Sequence, residues 1–357
     1  MLKSLKIENF RCFQSFEMQQ LGRLNLIVGT NNSGKTSILE AIQLLNSQST
    51  IDVLKNIMIG RGEYINDENG NRELDIRHIF YDHEIFIDRQ LSIFGNQNGS
   101  TEEITISVEN DVEIQYMDSS EFGRLLLAVN RSGKSYENNK FPLSNNESIP
   151  VEYTRITRKL SNYANPKTQL VSLSSLGAEK MIELFDQIVL TPDEDMIIDV
   201  LQTIEKNIKR IATNRTEKNS RYKDSRYGFS VLLSNSSQRI PIGSMGDGMW
   251  RMLGLALAIV NAKDGVLLVD EIDTGLHFTV MSDMWKMLWE TAKRLNVQIF
   301  ATTHSNDCWQ SLADIANAEH PSEDGITIHR IEKGKTQSIV FTEDEIAIAA
   351  EEGIEVR

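Results

Sequence analysis

Gly29-Thr30-Asn31-Asn32-Ser33-Gly34-Lys35-Thr36 decides the fold, because it fits the phosphate-loop pattern G-x-x-x-x-G-K-[ST]. In this pattern the glycines let backbone N–H groups surround phosphates, the lysine reaches the terminal phosphates and the threonine hydroxyl meets Mg²⁺. The flanking residues agree, since 24–28 predict a buried strand and 37–45 predict a helix with an apolar face. A helix N-terminus also attracts phosphate charge, so this segment predicts a binding loop for ATP.

A second motif, Leu267-Leu268-Val269-Asp270-Glu271, ends an aliphatic strand in two carboxylates. Hydrolysis of Mg-ATP needs such a pair, since an aspartate holds the metal through its water shell and a glutamate polarises the attacking water. Neighbouring side chains on a strand point in opposite directions, so the two carboxylates are predicted to serve separate roles. Thr36 and Asp270 are the predicted metal residues and Glu271 is the predicted general base, with ATP and Mg²⁺ as cofactors.

The composition is that of an ordinary globular protein. The 357 residues are 40% hydrophobic and 25% charged, enough for a sizeable core in about two domains. The longest apolar stretch, 252–260, is far shorter than the roughly 20 residues of a membrane span, and the N-terminus predicts a strand rather than a signal peptide. We therefore expect a cytoplasmic protein without membrane contact. Cys12 and Cys308 provide neither a disulfide framework nor a metal cluster, and both are expected to be reduced and structural.

The order of predicted elements indicates an α/β fold with a mixed sheet. A strand, the phosphate loop and a helix are predicted near the N-terminus, and a strand, a helix and a strand are predicted between about 265 and 304. We predict that these two segments form two halves of one sheet, joined by parallel crossovers. The alternating strands within 51–165 predict an inserted β-rich lobe. The predicted domains are a discontinuous head of 1–50 and 225–341, the inserted lobe 51–165, a helical lobe 166–224, and an acidic C-terminal helix 342–357.

A helix start lies within the predicted helical lobe. Thr191 is its predicted N-cap, with Pro192 at the first helical position and Glu194 closing a capping box. A long helix is expected to follow. The residues of its predicted apolar face are Ile197, Val200, Leu201, Ile204, Ile208 and Ile211.

A basic run extends from Lys206 to Tyr227, with eight basic residues against two acidic ones in a chain of net charge −14. Basic residues interleaved with tyrosines suit the phosphates and bases of single-stranded nucleic acid. Charge runs are also common on solvated surfaces, and basic residues suit a helix C-terminus, so both interpretations stay open. The predicted DNA-binding residues are Lys209, Arg210, Arg215, Arg221, Lys223 and Arg226.

A third motif, Ser244-Met245-Gly246-Asp247-Gly248, precedes an apolar helix over 249–260. The backbone N–H groups of a glycine-rich helix start, together with a serine hydroxyl, suit a γ-phosphate. Because the loop at Lys35 already holds the nucleotide of its own subunit, this motif is predicted to act on the nucleotide of a second subunit. Asp273 follows the carboxylate pair in a tight turn, and His304 ends the next strand, in a place suited to sensing the γ-phosphate.

Together with the opening segment Ile7-Glu8-Asn9-Phe10-Arg11-Cys12-Phe13, these motifs resemble the ATP-binding-cassette ATPases of the structural-maintenance, RecF and OLD type. The resemblance is closest to OLD-like ATPases. It implies an ATP-binding-cassette head that forms a head-to-tail homodimer around two ATP molecules. Gly29 to Thr36 is then Walker A, Ser244 to Gly248 the signature loop, and Asp270 with Glu271 Walker B.

The same resemblance implies a role for individual residues. Asp273 is the expected D-loop residue, and Glu271 and His304 are the expected catalytic residues. Asn31 is expected to contact the γ-phosphate and Arg11 to border the nucleotide. The implied nucleotide-binding residues are Gly29, Asn31, Asn32, Ser33, Gly34, Lys35, Thr36 and Ser37, and the implied signature residues are Ser244, Met245, Gly246, Asp247 and Gly248. The signature departs from the transporter-like Leu-Ser-Gly-Gly-Gln, and the Q-loop has no clear match beyond Gln90.

OLD nucleases carry a C-terminal TOPRIM domain, whereas 53 residues (357 − 304) follow His304 in this sequence. The resemblance therefore implies an ATPase whose dimerisation switches a separately encoded effector, such as a TOPRIM-like nuclease in phage defence. The alternative is a RecF-like DNA-binding ATPase of repair or recombination, which the basic run supports. The ATPase subunit of a membrane transporter is disfavoured, because 209 residues (244 − 35) separate Lys35 from Ser244.

Overall fold

A computed structural model of the chain describes residues 1–66, 70–97, 99–110, 122–133, 136–152, 168–172, 177–214, 228–318 and 324–356. The backbone separates into two compact units. The first unit is formed by Met1–Leu21, Asn31–Pro166 and Ile331–Ile339, and the second by Gly22–Thr30, Lys167–Arg330 and Val340–Arg357. Each unit is therefore assembled from segments that are distant in sequence.

The secondary structure follows the chain in this order. The helices are α1 (Lys35–Leu45), α2 (Thr50–Arg61), α3 (Ala178–Asp186), α4 (Asp193–Gln202), α5 (Asp247–Asn261), α6 (Met281–Leu295), α7 (Asn306–Ala318) and α8 (Glu343–Glu352). The strands are β1 (Leu2–Phe10), β2 (Phe13–Met18), β3 (Leu24–Val28), β4 (Tyr64–Asn66), β5 (Arg72–Leu74), β6 (Gln90–Gln97), β7 (Ser100–Asn110), β8 (Phe122–Ser132), β9 (Glu137–Ser144), β10 (Ile149–Pro150), β11 (Thr168–Val171), β12 (Ile208–Thr213), β13 (Phe229–Leu233), β14 (Arg239–Pro241), β15 (Val266–Val269), β16 (Gln298–Thr303), β17 (Ile326–Arg330) and β18 (Ile339–Phe341). Short 3-10 helices cover Ile76–Ile79, Tyr81–His83, Ile242–Met245 and Phe278–Val280.

The first unit contains a six-stranded antiparallel sheet in the order β2-β1-β6-β7-β8-β9. Burial alternates along β7, where Ile104, Ile106 and Val108 face the interior, as expected for a sheet with one covered face. Because β1 pairs with β6, the N-terminal strands share a sheet with the predicted inserted lobe. The predicted boundary at 50 therefore does not coincide with the edge of this sheet.

The second unit contains a six-stranded sheet in the order β11-β15-β16-β3-β17-β18, in which the neighbours from β11 to β17 are parallel. Every residue of β3, β15 and β16 is buried. Burial along the whole length of a strand is typical of parallel sheets covered on both faces. The predicted α/β class is confirmed, and so is the prediction that the N-terminal strand and the 265–304 region form one sheet.

Helix α5 is the most deeply buried helix segment around this sheet, with every residue from Met249 to Val260 buried. The rings of Phe185 and Phe229 meet edge to face at 5.7 Å, and Phe229 meets Trp250 at 6.2 Å, which joins α3, β13 and α5 in one core. A helix that is apolar all round must be enclosed in this way. None of the described helices is both long and apolar enough to cross a membrane.

The predicted start of this helix, with Thr191 as N-cap, is one residue too early. Helix α4 begins at Asp193, and Pro192 stands at the N-cap, where its side chain makes no capping hydrogen bond. The Glu194 carboxylate accepts a hydrogen bond of 2.8 Å from the backbone N–H of Leu190 rather than from Thr191. The Thr191 N–H donates instead to the carbonyl of Ile188 at 3.0 Å, and the Thr191 hydroxyl accepts from the N–H of Asp193 at 3.3 Å.

The predicted apolar face of this helix is also too long. Helix α4 ends at Gln202, and Ile208 and Ile211 lie on strand β12 instead. Strand β12 pairs with β13, in a register that places Ile208 opposite Leu233 and Ile211 opposite Val231. Hydrogen bonding to a strand that follows later in the chain therefore overrides a spacing that also fits a helix.

Candidate nucleotide site

Three of the predicted functional segments follow strands that end at the same edge of the second unit's sheet. Strands β3, β15 and β16 are parallel neighbours or next neighbours, so their carboxyl ends lie at the same edge. Gly29 follows β3, Asp270 follows β15 and His304 follows β16 directly. In open α/β sheets, ligands bind outside the carboxyl ends of the strands. The structure therefore brings these three predicted residues to the edge where such sheets bind ligands.

The phosphate loop depends on positive backbone angles. Gly29, Asn32 and Gly34 have φ angles of +148°, +62° and +100°, and Gly34 is the N-cap of α1. A Cβ atom on Gly34 would lie 2.4 Å from Cζ of Phe13, so only glycine fits there. Gly29 and Thr30 belong to the second unit, and the remainder of the loop belongs to the first.

A buried network of ion pairs fixes α1 in the first unit. The Glu40 carboxylate on α1 accepts from Nε of Arg11 at 3.2 Å and from Nε of Arg61 at 2.5 Å. Arg11 also donates through Nη1 to Glu63 at 2.6 Å and to the carbonyl of His78 at 2.9 Å. Burial raises the pKa of the Glu40 carboxyl although both arginines oppose the shift.

The other end of α1 is capped by Arg131. This buried side chain donates to the carbonyl oxygens of Leu44 at 2.6 Å and Leu45 at 3.0 Å, and to the hydroxyls of Ser47 and Thr50. The last carbonyls of a helix lack partners within the helix, and a positive charge there complements the helix dipole. Burial lowers the pKa of the Arg131 guanidinium. Helix α1 is thus held firmly at its C-terminal end.

A cavity of about 520 Å³ lies in the first unit beside the phosphate loop. Arg11, Asn32 and Ser33 line it together with the turn after β1, the Tyr81–His83 helix and residues 332–336. Nη2 of Arg11 and the hydroxyl of Ser33 have no hydrogen-bond partner among the described residues. A cavity of this size suits a small ligand. The expected role of Arg11 beside a nucleotide stays a prediction, and its position in this wall favours it.

The carboxylate pair lies beyond the end of its strand. Strand β15 ends at Val269, and Glu271 has a left-handed φ of +49°. The alternation of side chains along a strand therefore does not set the directions of Asp270 and Glu271, contrary to our expectation. Instead, the Thr302 hydroxyl accepts from the N–H of Glu271 at 2.9 Å and donates to Oδ1 of Asp270 at 2.6 Å.

A turn follows the two carboxylates, as predicted. The N–H of Thr274 donates to the carbonyl of Glu271, and that of Leu276 to the carbonyl of Asp273, both at 3.1 Å. The Asp273 carboxylate accepts from the Thr303 hydroxyl at 2.6 Å. Thr302 and Thr303 thus anchor the segment 270–273, a pair of contacts that the sequence reasoning missed.

The signature motif forms the start of α5. Its first residues belong to the 3-10 helix Ile242–Met245, Gly246 has a φ of +94°, and α5 begins at Asp247. Ser244, Gly246 and Asp247 are exposed. The first N–H groups of a helix have no partners within the helix, which suits an anionic ligand from outside.

Arg251 is the functional candidate that the sequence reasoning missed. It lies on α5, is 5% exposed, and donates through Nη2 to the carbonyl oxygens of Glu271 at 3.1 Å and Asp270 at 3.5 Å. Burial lowers the pKa of its guanidinium, and the carboxylates of Asp273, Glu271 and Asp270 oppose that shift. The signal was visible, since Arg251 is the one charged residue in the apolar segment 249–260.

The predicted DNA-binding residues are described only in part. Lys209 and Arg210 are exposed on β12, whereas Arg215, Arg221, Lys223 and Arg226 lie outside the described residues. Gln90, considered for the Q-loop, opens β6 and donates to the Ser92 hydroxyl at 3.1 Å. Both roles stay predictions.

The chain matches a family model described as "AAA domain, putative AbiEii toxin, Type IV TA system" over residues 24–307. An ATP/GTP phosphatase of Helicobacter pylori is 24% identical over 342 residues, which cover 86% of each protein. The DNA replication and repair protein RecF of Clostridioides difficile is 23% identical over 384 residues, 95% of this chain and 98% of that protein. An OLD nuclease of Thermus scotoductus is 51% identical over 45 residues, 13% of this chain and 8% of that protein.

A solved structure shares the fold. The SMC head bound to the C-winged helix domain of ScpA aligns over 96% of this chain and 98% of its own, with a TM-score of 0.50 and 12% identity. The matched family segment contains the phosphate loop, the signature motif, the carboxylate pair and His304. The predicted resemblance to RecF and OLD ATPases is confirmed by these similarities, and the structural-maintenance head shares the fold.

Proposed function

This chain belongs to the AAA-domain family described as a putative AbiEii toxin of type IV toxin–antitoxin systems, and it is an ATPase of the RecF, OLD and AbiEii type. From that premise we propose that it hydrolyses Mg-ATP within a head-to-tail homodimer. We further propose that ATP-driven dimerisation switches a separately encoded effector, such as a TOPRIM-like nuclease in phage defence. The observation that carries the proposal is the common sheet edge at which Gly29, Asp270 and His304 follow parallel strands.

The residues present suit a magnesium ion and a nucleotide. The Thr36 hydroxyl and the Asp270 carboxylate offer the hard oxygen ligands that Mg²⁺ prefers. When bound, the ion neutralises the charge that develops on the phosphate oxygens. Lys35 supplies a second positive charge, and the glycines of the loop leave room for its N–H groups to bind phosphate.

The chemical step is assigned to Glu271, which polarises the attacking water as a general base. The Thr302 hydroxyl binds the N–H of Glu271, and Arg251 binds its carbonyl oxygen. These backbone contacts position the Glu271 side chain without using its carboxylate in an ion pair. His304, exposed at the end of β16, is assigned to sensing the γ-phosphate. Across the dimer, the exposed start of α5 at Ser244 to Gly248 binds the γ-phosphate held by the partner.

The first experiment measures the mass of the Glu271→Gln protein by light scattering after size exclusion, with and without Mg-ATP. We expect the mass to double only with Mg-ATP, because the variant binds ATP and cannot hydrolyse it. Turnover should fall by about 10²- to 10⁴-fold, the contribution of a general base. Glu271→Gln combined with Lys35→Ala is the matched control, since it should stay monomeric. A mass independent of ATP, or turnover equal to that of the parent, would contradict the proposal.

The effector is tested separately in cells. The plating efficiency of a panel of phages is compared on cells that express the chain with its neighbouring gene, either as the parent or as Glu271→Gln. We expect protection by the parent pair and an altered level with the variant, because only the parent cycles between the two states. Equal plating with and without the pair would refute the role in defence and leave the ATPase assignment intact.

A RecF-like DNA-binding ATPase is the second candidate, favoured by the alignment with RecF over 95% of the chain and by the exposed Lys209 and Arg210 on β12. Each phosphate contact releases a counterion, so the affinity for single-stranded DNA should fall steeply with salt. Replacing both residues by glutamate should weaken binding and flatten that slope. Exchange of Lys263 and Lys293 for glutamate, outside β12, serves as a control. Binding unchanged in the β12 variant would exclude this surface.

A further inference from the structure

Arg251 connects the start of α5 to the carboxylate segment. It lies one helical turn after Asp247, where α5 begins, so its Cα sits directly below the signature motif. Its Nη2 donates to the carbonyl oxygens of Glu271 and Asp270 at 3.1 and 3.5 Å. Its Nε–H is buried and has no hydrogen-bond partner among the described residues. Such a charge is costly in a core, so its retention calls for a reason beyond packing.

The backbone that Arg251 contacts is strained and enclosed from two sides. Glu271 has a φ of +49°, which a residue other than glycine adopts only when its surroundings impose it. On the amide side, Thr302 binds the N–H groups of Glu271 and Ile272, through its hydroxyl at 2.9 Å and its carbonyl at 3.0 Å. On the carbonyl side, the guanidinium of Arg251 donates to Asp270 and Glu271, and the N–H of Thr274 donates to Glu271.

The guanidinium binds main-chain oxygens rather than side-chain carboxylates. Its positive charge still acts on Asp270, Glu271 and Asp273, three carboxylates within four residues that would otherwise repel one another. Within the part of the chain that the structure describes, the Glu271 carboxylate accepts one hydrogen bond, from the Thr274 hydroxyl at 3.4 Å. Arg251 therefore balances the charge of the segment and leaves the proposed general base able to bind water.

We propose that Arg251 is a positioning residue for hydrolysis, which holds Glu271 in its left-handed conformation and makes that conformation depend on the position of the α5 start. This inference rests on the proposed function, in which the α5 start binds the γ-phosphate of the partner subunit. When that phosphate draws the start of α5 toward it, Arg251 moves the carbonyl of Glu271 with the helix. Hydrolysis in one site is thereby linked to occupation of the opposite signature loop.

The test compares the parent with Arg251→Lys and Arg251→Met. We expect turnover to fall by about 10- to 100-fold in Arg251→Met, the range for residues that orient a reacting group from outside. Arg251→Lys keeps the charge and one donor, so it should retain more turnover than Arg251→Met. ATP affinity, measured with a fluorescent ATP analogue, should stay within about threefold in both, because the phosphate loop is unchanged. ATP-driven dimerisation in the Glu271→Gln background should also persist.

Met252→Ala is the matched control for loss of stability, since Met252 is fully buried on the same helix and belongs to the apolar core. It should lower the melting temperature and leave turnover near that of the parent. If Arg251→Met does not fold, the role of Arg251 is tested by comparing the turnover and ATP affinity of Arg251→Lys with those of the parent. Equal turnover in the folded variants, or a parallel loss of affinity and turnover, would overturn the role of Arg251. A parent without ATP hydrolysis would instead overturn the proposed function.

Discussion

Two clusters of arginines and carboxylates, one in each unit and each containing a buried arginine, use the same residue types in opposite ways. In the first unit, Arg11 and Arg61 bind the carboxylate oxygens of Glu40 directly. In the second unit, Arg251 binds main-chain oxygens, and the carboxylates of Asp270 and Asp273 accept from threonine hydroxyls. A carboxylate occupied by two arginines cannot also activate water. The difference therefore separates a cluster that fixes a helix from one that keeps a base available.

The largest expected effect on stability is that of Glu40→Ala. Removal of one partner from a buried ion pair leaves an uncompensated charge, which costs about 3–5 kcal/mol. Arg11, whose side chain is 5% exposed, would lose the partner of its Nε and keep Glu63 and the His78 carbonyl at its Nη1. Urea denaturation measures the loss, and Glu271→Ala is the contrasting variant, with turnover abolished and stability changed by less than about 1 kcal/mol. If both variants lost equal stability, the two clusters would not differ in kind.

Between pH 7 and pH 5, protonation linked to His329 in the second unit should lower the free energy of unfolding by about 2 kcal/mol. Burial of His329 in the second unit lowers its pKa to about 3, whereas the unfolded chain titrates near 6.5. The unfolded state therefore takes up the proton first, and stability is lost as the pH falls below 6.5. Glu40 in the first unit acts in the opposite direction, because burial raises the pKa of its carboxyl.

Denaturation of the parent and of His329→Gln at both pH values checks this prediction. The variant lacks the titrating group, so its loss on acidification should be smaller by the same amount of about 2 kcal/mol. Thr327 and His329 are within hydrogen-bond distance at 3.1 Å, and the glutamine can keep that contact. Identical pH dependence in the two proteins would show that His329 is not the sensitive group.

The smallest effect is expected for Arg61→Ala within the first cluster. The Arg61 side chain is 36% exposed, whereas that of Arg11 is 5% exposed, although both bind Glu40. Ion pairs that reach solvent contribute about 0.2–1 kcal/mol, so Arg61→Ala should cost about 1 kcal/mol or less. Arg11→Ala should cost several times more by the same urea assay. Equal losses would mean that burial does not set the strength of these pairs.

Local sequence patterns predicted those parts of the site whose defining contacts are made between residues close together in the sequence. The apolar strand β3, the glycine-rich loop and the periodic helix α1 follow one another without interruption, and each requires residue types that few other structures tolerate. The carboxylates after β15 and the turn at Asp273 were predicted for the same reason. These elements are defined by neighbours within a few residues.

Contacts between distant segments account for what could not be predicted. The left-handed backbone of Glu271 depends on Thr302, 31 residues later, and no spacing in the sequence indicates that contact. Ile208 and Ile211 continue a helical period, yet pairing with β13 places them on a strand. Arg251 is the single charged residue of the segment 249–260, a signal that the sequence analysis missed, and its partners are the carbonyl oxygens of the distant Asp270 and Glu271.

The position of β3 in its sheet has a consequence for biosynthesis. Strand β3 lies between β16 and β17, and the side-chain amide of Asn25 binds the carbonyl of Ile299, 274 residues further along the chain. A ribosome that adds about 5–20 residues per second needs roughly 15–55 seconds to make that interval. A nascent chain therefore carries the complete phosphate-loop sequence long before its supporting strand has neighbours. Folding of this unit must therefore wait until β16 and β17 have been synthesised.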